Sequence, residues 1–218
     1  FINEIFEDNF NNLWITSKDG FSVLGKSYFE VFDEGFVDDN NNILSLLVEN
    51  GLIYSGTYSG LTIFNKNDII STFTNTNGLP KNDPSVFKIA LGDKRTEFFL
   101  GTSNSVSILT KRKKHGYSTS QLFTVNEGVQ PIDILIGPEQ LYGATPIGLI
   151  SYSVKPSSYS LLTNKDGLVD NYIKTIALDQ DENLWCGTVN GISIVNNNSF
   201  HSYNKLHGLP NNVSNDIC

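Results

Sequence analysis

The chain has 218 residues, 23 Asp and Glu against 15 Lys and Arg for a formal net charge of -8, and two cysteines. That acidic balance argues against a nucleic-acid partner, whose affinity would rest on cationic contacts. Cys186 and the terminal Cys218 make neither a disulfide scaffold nor a metal site, and no stretch approaches the ~20 apolar residues of a membrane span.

In chain order, Ile2 to Phe6 reads as a strand, Asp8-Asn9-Phe10-Asn11-Asn12 as a turn, and Leu13-Trp14-Ile15-Thr16 as a second strand closed by Gly20. The same grammar returns as Ile53-Tyr54-Ser55-Gly56-Thr57 with Gly60. It appears again as Val86 to Leu91 followed by Phe98-Phe99-Leu100-Gly101-Thr102, and as Ile132 to Ile136 followed by Leu141 to Thr145 with Gly148. Between the third and fourth units the run Lys111-Arg112-Lys113-Lys114-His115 reads as a solvated hairpin tip. The fifth unit is the clearest. Tyr172 to Leu178 alternates as a strand, Asp179 to Asn183 is a turn, and Leu184 to Thr188 is the aromatic-centred strand. Val189-Asn190-Gly191 is a tight turn, Ile192 to Val195 a third strand, Asn196-Asn197-Asn198 a turn, and Phe200 to Tyr203 a fourth strand. No window sustains the i, i+3, i+4, i+7 pattern of an amphipathic helix.

The central aromatics Trp14, Tyr54, Phe99, Tyr142 and Trp185 recur at spacings of 40, 45, 43 and 43 residues, the period of four-stranded propeller blades. A second repeat keeps step with the first. Gly78-Leu79-Pro80 and Gly208-Leu209-Pro210 are its full forms, and Gly35-Phe36-Val37, Gly128-Val129-Gln130 and Gly167-Leu168-Val169 are degenerate copies. A glycine able to adopt positive φ, followed by an apolar residue and often proline, suits the corner between one blade and the next.

The expectation is therefore an all-β propeller of about five four-stranded blades, with repeats at 1-36, 37-80, 81-130, 131-169 and 170-212. Residues 213-218 align with the strand that opens the first unit, so the chain reads as part of a larger ring, for example a seven-bladed one. Phe1-Ile2-Asn3-Glu4, with neither an initiating Met nor a signal-peptide apolar core, reads in the same way as the start of an excised or processed piece. The strand aromatics, Trp14 and Trp185 included, are read as packing between blades, and Cys186 as core.

With the units aligned, the run Asp179 to Asn183, Leu184-Trp185-Cys186-Gly187-Thr188 and Gly191-Ile192 resembles the two-component regulator propeller repeat, and Phe200, Tyr203 and Gly208-Leu209-Pro210-Asn211-Asn212 extend the match. The resemblance spans all five units and is weakest in the third, where Ser105 stands in for the turn glycine. It implies the periplasmic sensor region of a Bacteroides-type hybrid histidine kinase. Such a region would be anchored through a flanking membrane span, would recognise polysaccharide breakdown products, and could form a homodimer through its parent receptor. The chain itself carries no phosphorylation, receiver or DNA-binding segment.

Catalysis is the rival reading. His115, His201 and His207 lie beside no candidate nucleophile, nucleophile-elbow, zincin, P-loop and Cys-x-x-Cys patterns are missing, and Asp8, Asp179 and Asp181 fall in turns, where Asp caps its own backbone. The sequence thus predicts a non-catalytic module with no cofactor and no metal. A ligand would meet the loops at the channel mouth. These are Lys18, Asp19, Tyr58, Ser59, Asn104, Pro146 and Asn190 in the tight turns, and Lys81, Asn82, Asp170, Asn171, Tyr172, Asn211 and Asn212 in the crossings. Tyrosine faces and Asn, Asp or Lys donors and acceptors would suit an oligosaccharide, although each residue singly also reads as an ordinary polar turn. A protein-interaction scaffold and a propeller glycoside hydrolase stand as the alternatives.

Overall fold

A computed structural model describes residues 2–8, 10–25, 29–32, 42–65, 68–79, 88–92, 97–103, 105–112, 116–124, 129–137, 140–153, 158–196 and 199–217. The fold is an all-β propeller of five four-stranded antiparallel blades. Blade 1 is β1 (Ile2–Glu7), β2 (Leu13–Ser17), β3 (Gly20–Leu24) and β4 (Phe29–Phe32). Blade 2 is β5 (Ile43–Glu49), β6 (Leu52–Thr57), β7 (Gly60–Phe64) and β8 (Ile69–Phe73). Blade 3 is β9 (Lys88–Leu91), β10 (Glu97–Gly101), β11 (Ser105–Arg112) and β12 (Gly116–Thr124). Blade 4 is β13 (Asp133–Ile136), β14 (Gln140–Thr145), β15 (Gly148–Ser153) and β16 (Ser158–Leu162). Blade 5 is β17 (Ile173–Leu178), β18 (Leu184–Thr188), β19 (Gly191–Asn196) and β20 (Ser199–Tyr203). In every blade the spatial order of the strands is their chain order. In the order of a blade they are called A to D below. Lys205–His207, a single 3-10 turn, is the one helical element among the described residues.

The chain divides into two compact units, Phe1–Thr124 with blades 1 to 3 and Val125–Cys218 with blades 4 and 5. Among the described residues of the first unit, apolar clusters form between successive blades. Trp14, Phe21 and Val23 of blade 1 pack on Ile43, Leu46, Ile53 and Phe64 of blade 2. Tyr54, Leu61 and Ile63 of blade 2 pack on Ile89, Phe98, Leu100 and Leu109 of blade 3. In the second unit Ala144 and Leu149 of blade 4, with Tyr142 at the margin, meet Ile173, Ile176, Leu184 and Cys186 of blade 5. Strand B therefore turns alternate residues to its two neighbours: Ile53 joins the cluster with blade 1, and Tyr54 the cluster with blade 3. A period of two makes this automatic once the strand is sandwiched. The aromatic wedge expected from the sequence is thus observed at Trp14, Tyr54 and Tyr142, and Phe99 is buried, whereas Trp185 is half-buried and stands outside the cluster that its neighbours Leu184 and Cys186 join. Cys186 is a fully buried free thiol whose pKa burial pushes up to about 12, as a core residue should be.

The leucine of the Gly-Leu corner is the plug between blades. Leu79 joins the cluster of blades 2 and 3, and Leu168 that of blades 4 and 5. The corner is a compact six-residue loop. The Leu168 amide donates to the Thr163 carbonyl at 3.3 Å, and the Thr163 amide and hydroxyl donate to the Asp166 carboxylate at 2.8 and 2.9 Å. Thr74 to Leu79 and Asn204 to Leu209 repeat the backbone bond at 3.0 and 3.3 Å. Gly167, at φ 129, lies against the outer strand of blade 5, where an added Cβ would stand 2.7 Å from the Phe200 ring. The corners at Gly35 and Gly128 lie outside the described residues. Lys111 and Arg112 end β11 as exposed residues of the C–D hairpin, as expected of the basic run, and 113–115 lie outside the described residues.

Candidate functional site

The B–C turn is the same small device in each blade. In blade 5 the Thr188 hydroxyl donates to the Gly191 carbonyl at 2.8 Å and accepts the Asn190 amide at 3.1 Å. Ser17 with Gly20, Thr57 with Gly60, Thr102 with Ser105 and Thr145 with Gly148 reproduce the first of these bonds. Gly191 must be glycine: its φ is 136, and a Cβ there would lie 2.3 Å from the Tyr203 carbonyl oxygen on strand D. Blade 3 uses Ser105 instead, whose hydroxyl sits 2.5 Å from that of Thr102. A turn braced internally by its own Thr or Ser hydroxyl leaves the side chains of the two tip residues outside the bracing. Lys18 and Asp19 occupy those places in blade 1, Tyr58 and Ser59 in blade 2, Pro146 and Ile147 in blade 4, and Val189 and Asn190 in blade 5.

In the second unit the structure brings the B–C turn and the crossings together. The Val189 amide donates to the Tyr172 carbonyl at 3.3 Å, the Ser214 amide to the Thr188 carbonyl at 2.9 Å, and Asn212 Nδ2 to Asn190 Oδ1 at 3.1 Å. Tyr172 is 42% exposed and Tyr58 46%. Asp170 accepts the Tyr172 amide at 2.8 Å and Asn211 the Val213 amide at 3.4 Å, so each sets its own turn. Asn171 and Asn212 do a further structural job: their Oδ1 atoms accept the amides of Asn164 and Lys205, at 2.7 and 2.8 Å, and so hold the Gly-Leu corners. In the first unit Lys18 and Asp19 form an exposed ion pair at 3.9 Å. Lys81, Asn82 and Asn104 lie outside the described residues.

Three features escaped the sequence reading. The first is an acid–indole lock in blades 1 and 5. Asp8 accepts the Phe10 and Asn12 amides, the Asn12 side chain and Trp14 Nε1 at 2.9 Å, and Asp179 makes the matching bonds to Asp181, Asn183 and Trp185 Nε1 at 2.9 Å. Asn11 and Glu182 take positive φ at the same place in the two loops. Burial tends to raise the Asp8 pKa, but its four donors together outweigh burial and hold it below the usual carboxylate range. The Trp185 indole, then Asn183 and the loop amides, bring Asp179 down to about 2. The Asp-to-Trp spacing of six was visible in the sequence and could have disclosed the lock.

The second is a set of stitches between inner strands. Glu4 on β1 accepts the Leu46 amide on β5 at 2.8 Å, Ser45 on β5 accepts the Ile89 amide on β9 at 3.0 Å, and Asp133 on β13 accepts the Ile176 amide on β17 at 3.1 Å. Register shifts between Ile43 and Ser45 and between Ile173 and Thr175 lie just before two of these amides, while β9 runs in register with β10 through Ile89. What the three share is an innermost strand paired on one side only, one of whose amides is served by a side chain of the neighbouring blade. Lys88 also reaches Glu4 at 3.0 Å, joining blades 1 and 3. The third is that the turn face of the second unit carries apolar side chains where turns favour polar ones: Ile147, Val189 and Val213 are 37, 37 and 42% exposed. Among the described residues no group of three or more His, Cys, Asp or Glu is arranged to hold a metal.

Blades wedged by an aromatic ring, corners plugged by leucine and Thr-braced turns define a repeat propeller whose variable groups stand on the B–C and D–A loops. The particular repeat is identified by sequence: residues 167–190 match the Two component regulator propeller family. The extracellular domain of BT4673 from B. thetaiotaomicron, described as a hybrid two component system, superimposes with a TM-score of 0.66 at 15% identity, covering 100% of this chain and 35% of its own. That of BT3049 from the same organism, described likewise, gives 0.63 at 16% identity, covering 100% and 36%. The WD40 β-propeller domain of Doa1 gives 0.70 at 11%, covering 100% and 72%. The chain thus spans about a third of the B. thetaiotaomicron domains, at 35% and 36% of their length. At these identities the likeness establishes the fold. No curated protein sequence matches the chain.

Proposed function

We propose that this chain is the propeller portion of an extracytoplasmic, periplasmic sensor region of a hybrid two-component regulator, and that it binds a ligand without transforming it. The observation that carries the reading is the repeat itself: residues 167–190 match the Two component regulator propeller family, and the matched turn and crossing are where Tyr172, Asn190 and Asn212 converge. Among the described residues no helix is long and apolar enough to cross a membrane, so signal transfer would run through a flanking segment of a parent kinase. An oligosaccharide suits the turn face of each unit. In the second unit Tyr172 offers a ring for stacking and Asp170, Asn190 and Asn211 offer donors and acceptors, and in the first unit Tyr58 offers a ring with Lys18, Asp19 and Ser59 as its polar groups. Lys81, Asn82 and Asn104 belong to the same proposal by sequence position.

Calorimetry against an oligosaccharide panel tests it. Saturable binding that is lost in Tyr172→Ala or in Tyr58→Ala supports the reading, and a folded chain that binds none of the panel, or whose binding survives both changes, contradicts it. The exposed Ile147, Val189 and Val213 favour one second reading, a protein-docking scaffold that dimerises or holds a partner through this face. Turnover of any glycan would instead favour a hydrolase.

A further inference from the structure

The chain contains three Asn-Gly dipeptides, Asn50-Gly51, Asn77-Gly78 and Asn190-Gly191. Asn-Gly is the pair most prone to spontaneous ring closure, because glycine has no Cβ to hinder the approach of its amide nitrogen to the preceding side chain. Fold context decides whether closure can happen.

Two of the three are held. Asn77 Oδ1 accepts the Thr74 amide at 2.6 Å while its Nδ2 donates to the Thr72 carbonyl at 2.7 Å, so both ends of its side-chain amide are fixed within the corner. Asn190 Oδ1 accepts from Asn212, and Gly191 is itself a ladder residue paired with Thr188 and pressed on the Tyr203 carbonyl. Asn50 and Gly51 differ in the backbone: the Asn50 side chain also has a partner, Glu49, but the Gly51 nitrogen that must attack is not packed. They are the two loop residues of the β5–β6 hairpin, beyond the closing pair Glu49 and Leu52, with φ values of 51 and 74. In such a loop the Gly51 amide is not a ladder donor. Both residues are exposed, and nothing lies within 4 Å of where a Gly51 Cβ would stand, so the tip can rearrange.

We propose that Asn50 is a deamidation site whose conversion disturbs the core of blades 2 and 3. The Gly51 nitrogen bonds to the Asn50 side-chain carbonyl carbon, the bond from that carbon to Nδ2 breaks, and ammonia leaves with the proton released by the Gly51 amide. Water then opens the succinimide at either carbonyl, giving aspartate or isoaspartate. One water is consumed, one ammonia is released, and no oxidant or reductant takes part. The consequence lies one residue back. Asn50 Nδ2 donates to Glu49 Oε1 at 2.8 Å, and Glu49 is 4% exposed. Deamidation replaces that donor by a carboxylate facing Glu49, so a hydrogen bond gives way to like-charge repulsion. Glu49 is paired across the hairpin with Leu52, which packs against the apolar cluster of blades 2 and 3, so a clash at the tip falls on the pair that borders that core.

Peptide mapping by mass spectrometry, after incubating the chain in mildly alkaline buffer both folded and in urea, reads the order of conversion. In the folded chain Asn50 converts several-fold faster than Asn77 and Asn190, and in urea the three converge. Equal rates in the folded chain, or Asn77 or Asn190 leading, overturns the assignment. The consequence is tested separately by thermal unfolding near neutral pH. Asn50→Asp, which keeps a residue type that tolerates positive φ, lowers Tm, and Glu49→Gln added to Asn50→Asp restores most of the loss. An Asn50→Asp chain as stable as its parent, or one that Glu49→Gln leaves unimproved, would show that the proposed clash does not exist.

Discussion

Between blades 4 and 5 the Val169 amide donates to Ser193 Oγ at 2.8 Å, whereas the aligned corner between blades 2 and 3 has Pro80 in place of Val169 and Ser107 in place of Ser193. Proline has no amide hydrogen, and Ser107 Oγ is buried without a hydrogen-bond partner. The apolar half of the two interfaces is nonetheless shared, since Leu79 and Leu168 are buried alike, at 5 and 4% exposure. Blades 2 and 3 make up the difference with aromatics. The Tyr54 ring stands 4.3 Å from that of Phe98, the Tyr54 hydroxyl lies 3.2 Å from that of Tyr117, and Thr119 Oγ1 donates to the Gly78 carbonyl at 2.6 Å. Burial, together with the Tyr117 contact, drives the Tyr54 hydroxyl pKa far above its ordinary value, so this hydrogen bond is insensitive to physiological pH. In a repeat array the apolar plug is what each unit must keep, while the polar stitch can be exchanged for ring contacts.

The largest expected effect tests the shared half. Leu168→Ala and Leu79→Ala should each cost about 2–5 kcal/mol by chemical denaturation, from lost burial and a residual cavity. A loss below about 1 kcal/mol at either site would mean that its corner is not a plug. The next effect separates the two interfaces. Ser193→Ala should cost about 1 kcal/mol by stranding the Val169 amide, whereas Ser107→Ala, which removes a hydroxyl already unpaired, should be neutral or stabilising. Equal losses at the two serines would remove the contrast. The smallest effect is in acid. The folded-state pKa of Asp179, about 2, lies below the ordinary 3.8, so its contribution is complete above the ordinary value and is lost as pH falls through the folded one. Between about pH 4 and pH 2, Asp179→Asn should therefore flatten part of the acid limb of stability, read by fluorescence of Trp185. An unchanged acid limb would show that the acid–indole lock is not formed in solution.

Much of the fold was legible because a blade is repeated. Five aromatic-centred strands in step with five corners over-determine the period, and strand B could be read in every unit even though Ser17 replaces the bracing Thr in blade 1 and Ser105 the turn Gly in blade 3. Strand edges were read less closely: Tyr172 precedes β17, and Gly191 belongs to β19 because the braced turn is only two residues long. The stitches were not legible. Glu4, Ser45 and Asp133 share a role through their place on an innermost strand beside the next blade and share no residue type, so no motif marks them. The candidate face was legible as a set of loops but not as chemistry. Asn171 and Asn212 resemble free polar groups in sequence and instead hold corners, while Ile147 and Val189 contribute apolar surface where the sequence suggested only polar turns.

Amide hydrogen exchange in Ser45→Ala tests most directly whether each blade secures the next through its inner strand. Ser45 is fully buried, and its hydroxyl is the acceptor of the Ile89 amide in blade 3. Exchange at Ile89 should rise by about ten-fold or more, while Ile176, stitched separately by Asp133, should keep its protection. Unchanged exchange at Ile89, or an equal rise at both amides, would contradict it.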